Sequence, residues 1–522
     1  MVLFFYSFIY KVNKLRSVYL LLVSLFFYFK TSGVFVLLLL FTICSDYLWG
    51  KLINKSKRNW LRKGLLSISV LLNLSLLCYF KYSYFFVESL NQITGIQFSY
   101  LNHFAQFSNT FFDSSFRVDK LLLPVGVSFF TFQSLSYTID MYRGKVEPVK
   151  NIFDYGFFVC FFPHLVAGPI VKAHDFLYQI YQPYNLKRSE FGLAVFWILN
   201  GFSKKIVADY LAVNFIDRIF DNPALFSGME TILGVFAYSI QIYMDFSGYT
   251  DMAIGLALIL GYRLKTNFLS PYKATSVSEF WKRWHISLSS WLQEYLYIPL
   301  GGNRNGSFGS YVCMGIIAMF LVLLSGKFWL VFVLAFSAVL LLMLAYFWSA
   351  FRKSLNTNIN LMVTMLLGGL WHGSSWLFVI WGGLNGLGLV VHKLWERISP
   401  FKNTKNLVIK ALLMLVTLSF ISFTRIFFRS ENLTTVWMIF DRIKNYMGAE
   451  LILQILMGYK NVMLVLLLAY LIHWVPEAWK AGYRQWFSGL HPVLMGVIAM
   501  GLVFLAYQLM SGEMQAFIYF QF

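Results

Sequence analysis

Two histidines in this chain stand where imidazole chemistry is plausible. His372 lies in MLLGGLWHGSSW (365–376), between glycines and a serine pair in apolar surroundings. Glycines allow another backbone or a ligand to approach closely. An imidazole there can take a proton from an alcohol near neutral pH and return it to a leaving thiolate, which acyl transfer from a thioester requires. The other reading of a histidine in an apolar span is a hydrogen-bonded structural residue, and the sequence alone leaves both open. His285, in SEFWKRWHISLSSWL (278–292), is either a second proton carrier or one more polar residue on an interfacial helix. Near it, Lys282, Arg283 and Arg304 suit the phosphates of coenzyme A. They equally suit anchors at a membrane surface.

Other ionisable groups sit inside apolar segments, where they are expensive to place. Asp245 and Asp251, in YMDFSGYTDMAIG (243–255), face different directions on a helix, so a shared-proton dyad is not expected. Structural hydrogen bonding, to tyrosine or arginine partners, fits them better. His164, in FFPHLVAGPI (161–170), lies between helix-breaking prolines and is expected to help shape a cavity. His103, His174, His392, His473 and His491 have no informative neighbours. There is no P-loop, GxSxG elbow, HExxH or dinucleotide-binding glycine pattern, and no metal-ligand cluster. Cys44, Cys78, Cys160 and Cys313 form no CxxC pair, so no metal site or disulfide framework is suggested.

The elements that must hold these groups are membrane helices. Only 13% of the residues are charged while 58% are hydrophobic, against about 25% charged in a soluble domain. Apolar runs near the roughly 20 residues needed to cross a bilayer recur from end to end. They lie at 17–29, 33–50, 64–87, 121–142, 154–171, 189–213, 230–262, 310–326, 328–350, 361–380, 376–395, 406–428, 461–475 and 491–510. The expectation is an all-α, polytopic integral membrane protein of about 11–14 helices. Short and overlapping runs imply re-entrant or half-helices around a cavity. Residues 1–510 read as one membrane-embedded domain, with 511–522 as a tail.

The net charge of +20 does not imply nucleic acid, because the basic residues sit in short loops between apolar runs. The loop 51–63 holds Lys51, Lys55, Lys57, Arg58, Arg62 and Lys63 without an acid and is expected to be cytoplasmic. The last loop carries Lys480 and Arg484, and no Lys or Arg follows, so the tail is expected to be extracytoplasmic. No small-residue cleavage site follows the first apolar runs, so an uncleaved first span is expected. Residues 276–300 read as one amphipathic helix: Trp281, Trp284, Leu288, Trp291, Leu292 and Tyr295 recur at helical spacing. It is expected either in the interface with its indoles among headgroups, or at the mouth of a cavity.

The order and content of six blocks resemble the membrane-bound O-acyltransferase superfamily, most of all its bacterial branch of alginate O-acetyltransferase and teichoic acid D-alanylation enzymes. They are LLPVGVSFFTFQSLSYTIDMYRG (122–144), FFPHLVAGPIVK (161–172), YMDFSGYTDMAIGLAL (243–258), SEFWKRWHISLSSWLQEYLYIPLGGNRNG (278–306), MLLGGLWHGSSWLFVIWGGLNG (365–386) and FFRSENL (427–433). The resemblance implies helices around a funnel, His372 as the catalytic histidine at its base and His285 as a second functional histidine. It implies acetyl-CoA as the donor substrate, with no bound cofactor and no metal. It also implies a polysaccharide acceptor reached through an extracytoplasmic SGNH-type acetyltransferase, at a bacterial plasma membrane. D-alanyl transfer and peptidoglycan O-acetylation are alternatives within the superfamily. A transporter, the reading from another class, calls for repeated half-segments that the chain lacks.

Two features depart from or add to that pattern. Residues 310–350 insert two apolar runs where the alginate-type pattern has a short connection. The sequence Phe517-Ile518-Tyr519-Phe520-Gln521-Phe522 resembles the C-terminal motif of the small single-span partner of the D-alanylation enzyme. That resemblance, with the good leaving-group character of a phenol, makes Tyr519 a candidate transient acyl acceptor. A tail resting on the membrane surface is the alternative.

Overall fold

Long apolar runs without charge leave the backbone no partner but itself, and all regular structure among the described residues is helical. The computed structural model describes residues 1–99, 102–112, 123–166, 168–327, 329–401, 404–509, 515 and 517. Among the described residues, seven helical stretches are long and apolar enough to cross a membrane: Asn13–Lys55, Asn59–Thr94, Arg188–Asp221, Trp329–Phe347, Trp376–Ile398, Leu407–Arg429 and Pro492–Leu509. An eighth is formed if Ala449–Gly458 and Lys460–Trp474, bent by 92° where they meet, count as one broken span. The chain is a multi-pass membrane protein. Other apolar runs fold as shorter or more polar helices. The run 154–171 breaks at Phe161 into Ile152–Cys160 and Phe162–Leu165, and 230–262 lies in the single helix Gly228–Ile259. The two runs of 310–350 form Phe308–Ser325 and Trp329–Phe347. Only 6% of the apolar window of the second is buried, which leaves most of its surface to lipid.

Two compact units divide the chain. The first comprises Met1–Leu165, Lys172–Ile180 and Ser290–Val390, and the second Val166–Val171, Tyr181–Ser289 and Val391–Phe522.

Polar side chains tie the first unit together inside its apolar packing. Asp46 accepts hydrogen bonds from Ser69 and Asn73, each 2.8 Å long. Asp140 accepts from the Tyr295 hydroxyl at 2.9 Å and lies 2.8 Å from His174 Nδ1. Glu294 binds Lys172 at 2.8 Å and also pairs with Lys145. Burial works against the Glu294 charge, but the hydrogen bonds from Lys145 and Lys172 outweigh it and hold the carboxyl well below the usual range. One ligand atom each from Asp140, His174 and Glu294 falls within 4.8 Å of the others. Two lysines and a tyrosine already occupy those carboxylates, so the group reads as an ion-pair network.

In the second unit, helices Arg188–Leu211 and Gly228–Ile259 touch backbone to backbone. A Cβ on Gly201 would meet the Gly248 carbonyl at 2.3 Å, and one on Gly255 would meet the Ala194 carbonyl at 2.5 Å. The close approach sets Lys204 on Asp251 at 2.6 Å and Lys205 on Asp245 at 2.8 Å. Both acids are thus held in ion pairs with lysines.

Candidate active site

His372 is the last residue of helix Ser349–His372 and is 4% exposed. A helix that ends inside a protein must find partners for its last carbonyls. Here they come from a widened turn, Cys78–Tyr82, in the long helical stretch Asn59–Thr94. The Tyr82 hydroxyl donates to the Leu370 carbonyl at 2.8 Å. The Lys81 ammonium donates to the Trp371 carbonyl at 2.5 Å and to the His372 carbonyl at 3.2 Å. A cation at a helix C-terminus is also favoured by the helix dipole. Widened turns of this kind occur most often where function needs them.

The ring of His372 stands edge-on to Trp371 and Trp381, with centroids 5.0 and 5.1 Å away. Trp371 in turn stacks on Phe132 at 5.4 Å, and Phe132 on Trp291 at 3.7 Å. The next helix, Trp376–Ile398, packs back through glycine. A Cβ on Gly369 would meet the Phe378 carbonyl at 2.3 Å, and one on Gly382 the Met365 carbonyl at 2.4 Å. The imidazole is therefore fixed by indole walls, a glycine seam and a lysine clamp on its own backbone. Replacing Lys81 with Met should lower the melting temperature, by a loss on the order of 1–3 kcal/mol. It should also slow turnover, because the turn carrying His372 loses two donors; thermal melts and initial rates on the purified variant check both.

His285 belongs to the second unit. The single helix expected over 276–300 is broken there: Val277–Arg283 ends, His285 takes a left-handed φ of 45°, and Ile286–Leu292 begins. The cause is Asn267. Its backbone carbonyl accepts from Ile286 N at 2.9 Å, and its Oδ1 accepts from Ser287 N at 3.0 Å and Ser287 Oγ at 2.9 Å. These bonds replace helical ones and compensate a conformation that is rare for a side-chain-bearing residue. His285 Nδ1 lies 3.3 Å from the same Oδ1, which sets Nδ1 as the proton-bearing atom and Nε2 as the basic one. Complete burial favours its neutral form. Phe246 meets the ring edge-on at 4.6 Å.

Trp284 and Trp291 of this segment are core residues, not headgroup anchors. Trp284 is 4% exposed and carries the Arg425 guanidinium at 4.6 Å. Trp291 is 6% exposed and donates to the Phe132 carbonyl. Arg283 is held by Glu279 at 2.7 Å and by the Leu269 carbonyl at 3.1 Å, whereas Lys282 and Arg304 are exposed. His164 is fully buried beside the Phe158 carbonyl and against Phe161 and Phe176, as a packing residue.

Tyr519 lies outside the described residues, but part of the tail before it does not. Phe517 is 5% exposed and packs on Tyr249 at 4.7 Å and on Phe246 at 5.9 Å, the ring that also meets His285. The Gln515 backbone hydrogen-bonds Asp209.

Residues 59–357 match the sequence model of MBOAT, the membrane-bound O-acyltransferase family. The chain belongs to the membrane-bound O-acyltransferase family. The match takes in the His285 block and stops short of His372. Individual relatives reach further. The "Probable alginate O-acetylase AlgI" of Pseudomonas aeruginosa is 34% identical over 444 residues, 83% of this chain and 71% of the relative. Its Azotobacter vinelandii counterpart is 36% identical over 73% of this chain and 62% of its own length. The "Peptidoglycan O-acetyltransferase" of Helicobacter pylori is 32% identical over 83% of this chain and 75% of the relative.

Membrane-bound O-acyltransferases are enzymes, and in this one each unit carries one of the two candidate histidines. Several groups around them escaped the sequence reading. Lys81 was detectable as a charge inside the apolar run 64–87. Asn267, Lys204 and His473 gave no local signal, because their partners lie far away along the chain.

Proposed function

We propose that this acyltransferase moves acetyl groups from cytoplasmic acetyl-CoA across the membrane for O-acetylation of a cell-envelope or exported, alginate-like polysaccharide. The observation that carries this reading is the likeness, over 83% of the chain, to the P. aeruginosa relative, a probable alginate O-acetylase. The H. pylori relative, similar over as much of the chain, supports peptidoglycan as a second candidate acceptor.

His372 acts as the proton carrier. It takes the proton of the acceptor hydroxyl as the oxygen attacks the acetyl carbon. The C–O ester bond forms, the thioester C–S bond breaks, and the proton passes to the coenzyme A thiolate. His285, with Asn267 fixing its tautomer, assists donor positioning or the proton path. Lys282 and Arg304, exposed and cationic, are candidates for first contact with the donor; Arg283, already paired with Glu279, is a third.

Tyr519 is the candidate first acceptor. Its phenol would carry the acetyl group outward to an SGNH-type acetyltransferase on the extracytoplasmic side. Burial of Phe517 on the ring that packs against His285 supports a tail that returns to the protein. Tyr519→Phe should abolish polymer acetylation at unchanged protein level while acetyl-CoA binding persists. Undiminished acetylation in cells carrying only that variant would remove Tyr519 from the route.

A further inference from the structure

The second unit contains a cavity of about 230 Å³ that the two histidine sites do not use. Its wall includes Lys204, Lys480, Arg484, His473 and Asn267, with Asp251 and Glu477. The acids are already taken. Asp251 holds Lys204 at 2.6 Å and Asn200 at 2.7 Å, and Glu477 holds Arg484 at 2.9 Å. Lys480 donates to Ser270 Oγ at 2.8 Å and to the His473 carbonyl at 2.9 Å. Among the described residues no carboxylate pairs with it.

Two further wall residues are almost wholly buried and have donors without a partner among the described residues. His473 is 2% exposed. Its Nε2 accepts the Tyr272 backbone N–H at 3.1 Å, so the neutral ring carries its proton on Nδ1, and that donor is unused. Asn267 is 1% exposed; its Oδ1 is consumed by Ser287, and its Nδ2 amino group has no acceptor. A buried donor left unmatched costs about 1–3 kcal/mol, so two such donors on residues that line one cavity, beside a cation without a carboxylate, call for an anion.

We infer that this cavity is a phosphate-binding site, built by Lys480, His473 Nδ1 and Asn267 Nδ2. The volume is sufficient for a phosphate group. Lys480 and Arg484 lie in the loop that charge distribution places on the cytoplasmic side, where a phosphate-bearing thioester donor arrives. Asn267 links the site to chemistry, because it lines the cavity and the Oδ1 of the same amide orients His285. On the acetyl-CoA reading proposed above, donor phosphates would bind here and place the thioester. The same chemistry is offered by an anionic phospholipid headgroup.

Binding distinguishes these without relying on turnover. Full-length protein in phosphatidylcholine nanodiscs is titrated with coenzyme A and with pantetheine, which lacks every phosphate. The expected result is coenzyme A binding that Lys480→Met weakens about tenfold or more. Lys480→Arg should retain it, and pantetheine should bind equally weakly to all three proteins. A parallel arm measures phosphatidylglycerol retained by the protein from mixed nanodiscs. If coenzyme A does not bind but Lys480→Met releases phosphatidylglycerol, the phosphate site stands and the acetyl-CoA reading falls. If Lys480→Met changes neither ligand, the site is refuted, and coenzyme A binding then speaks for the donor alone. Should Lys480→Met fail to fold, Arg484→Gln, which lines the same cavity, carries the comparison.

Discussion

Acyl transfer by the His372→Ala protein is expected to fall by about a thousandfold, within the range that a positioned acid–base group supplies. His372→Gln should do no better, because an amide fills the space between Trp371 and Trp381 but cannot carry a proton at neutral pH. Neither change should unfold the chain. The ring makes edge contacts to two indoles, while the clamp from Lys81 and Tyr82 grips backbone carbonyls that any residue would present. Donor binding should likewise survive, so the loss falls on turnover and not on affinity. Rates and thermal melts on the same preparations separate these outcomes. A variant that retained a tenth of wild-type activity would place the proton transfer elsewhere.

A similarly large effect is expected from a single methyl group at Gly382. Its Cβ would lie 2.4 Å from the Met365 carbonyl and 3.1 Å from the Gly369 Cα, both backbone atoms that cannot swing away. Helix Trp376–Ile398 must then move off helix Ser349–His372, and Trp381 moves with it. Overpacking of this kind costs about 1–3 kcal/mol. The catalytic cost should exceed the stability cost, since small displacements of a reacting group reduce rates steeply. Gly382→Ala should therefore lower the melting temperature modestly and activity more than tenfold. The neighbouring Gly383→Ala is the control: its Cβ would meet only a Leu366 methyl at 3.3 Å, and it should be nearly silent. Equal effects at the two glycines would show that the seam does not position the site.

Much of this arrangement was legible in the sequence, and the exceptions share a cause. The helical class and membrane setting follow from uncharged apolar runs, which have few other ways to satisfy their backbone. The setting of His372 was partly legible because Trp371, its neighbour in sequence, is also one of its walls in space. The break at His285 was not legible: the three- and four-residue recurrence of Trp281, Trp284, Leu288 and Trp291 runs straight through it. What stops the helix is Asn267, 18 residues earlier, whose carbonyl and side chain capture the N–H groups of Ile286 and Ser287. Periodicity reports which residues share a face, and it cannot report a competitor brought in from elsewhere. The acids of helix Gly228–Ile259 follow the same logic. That Asp245 and Asp251 needed partners was clear, but Lys204 and Lys205 come from another helix and reach them only because glycines let the two backbones touch. His473 had no informative neighbours in the sequence, since its meaning lies in the Tyr272 N–H that fixes its tautomer and in the cavity that it lines.

The most direct test of the account is the fate of labelled acetyl-CoA with the purified protein. The account predicts coenzyme A release by the wild type, with label transferred to Tyr519 or to an added acceptor. It predicts no release above background by His372→Ala, although that variant still binds the donor. Equal release by both proteins would contradict the assignment of His372. No release by the wild type, together with turnover of an acyl group presented on a carrier protein, would contradict acetyl-CoA as the donor.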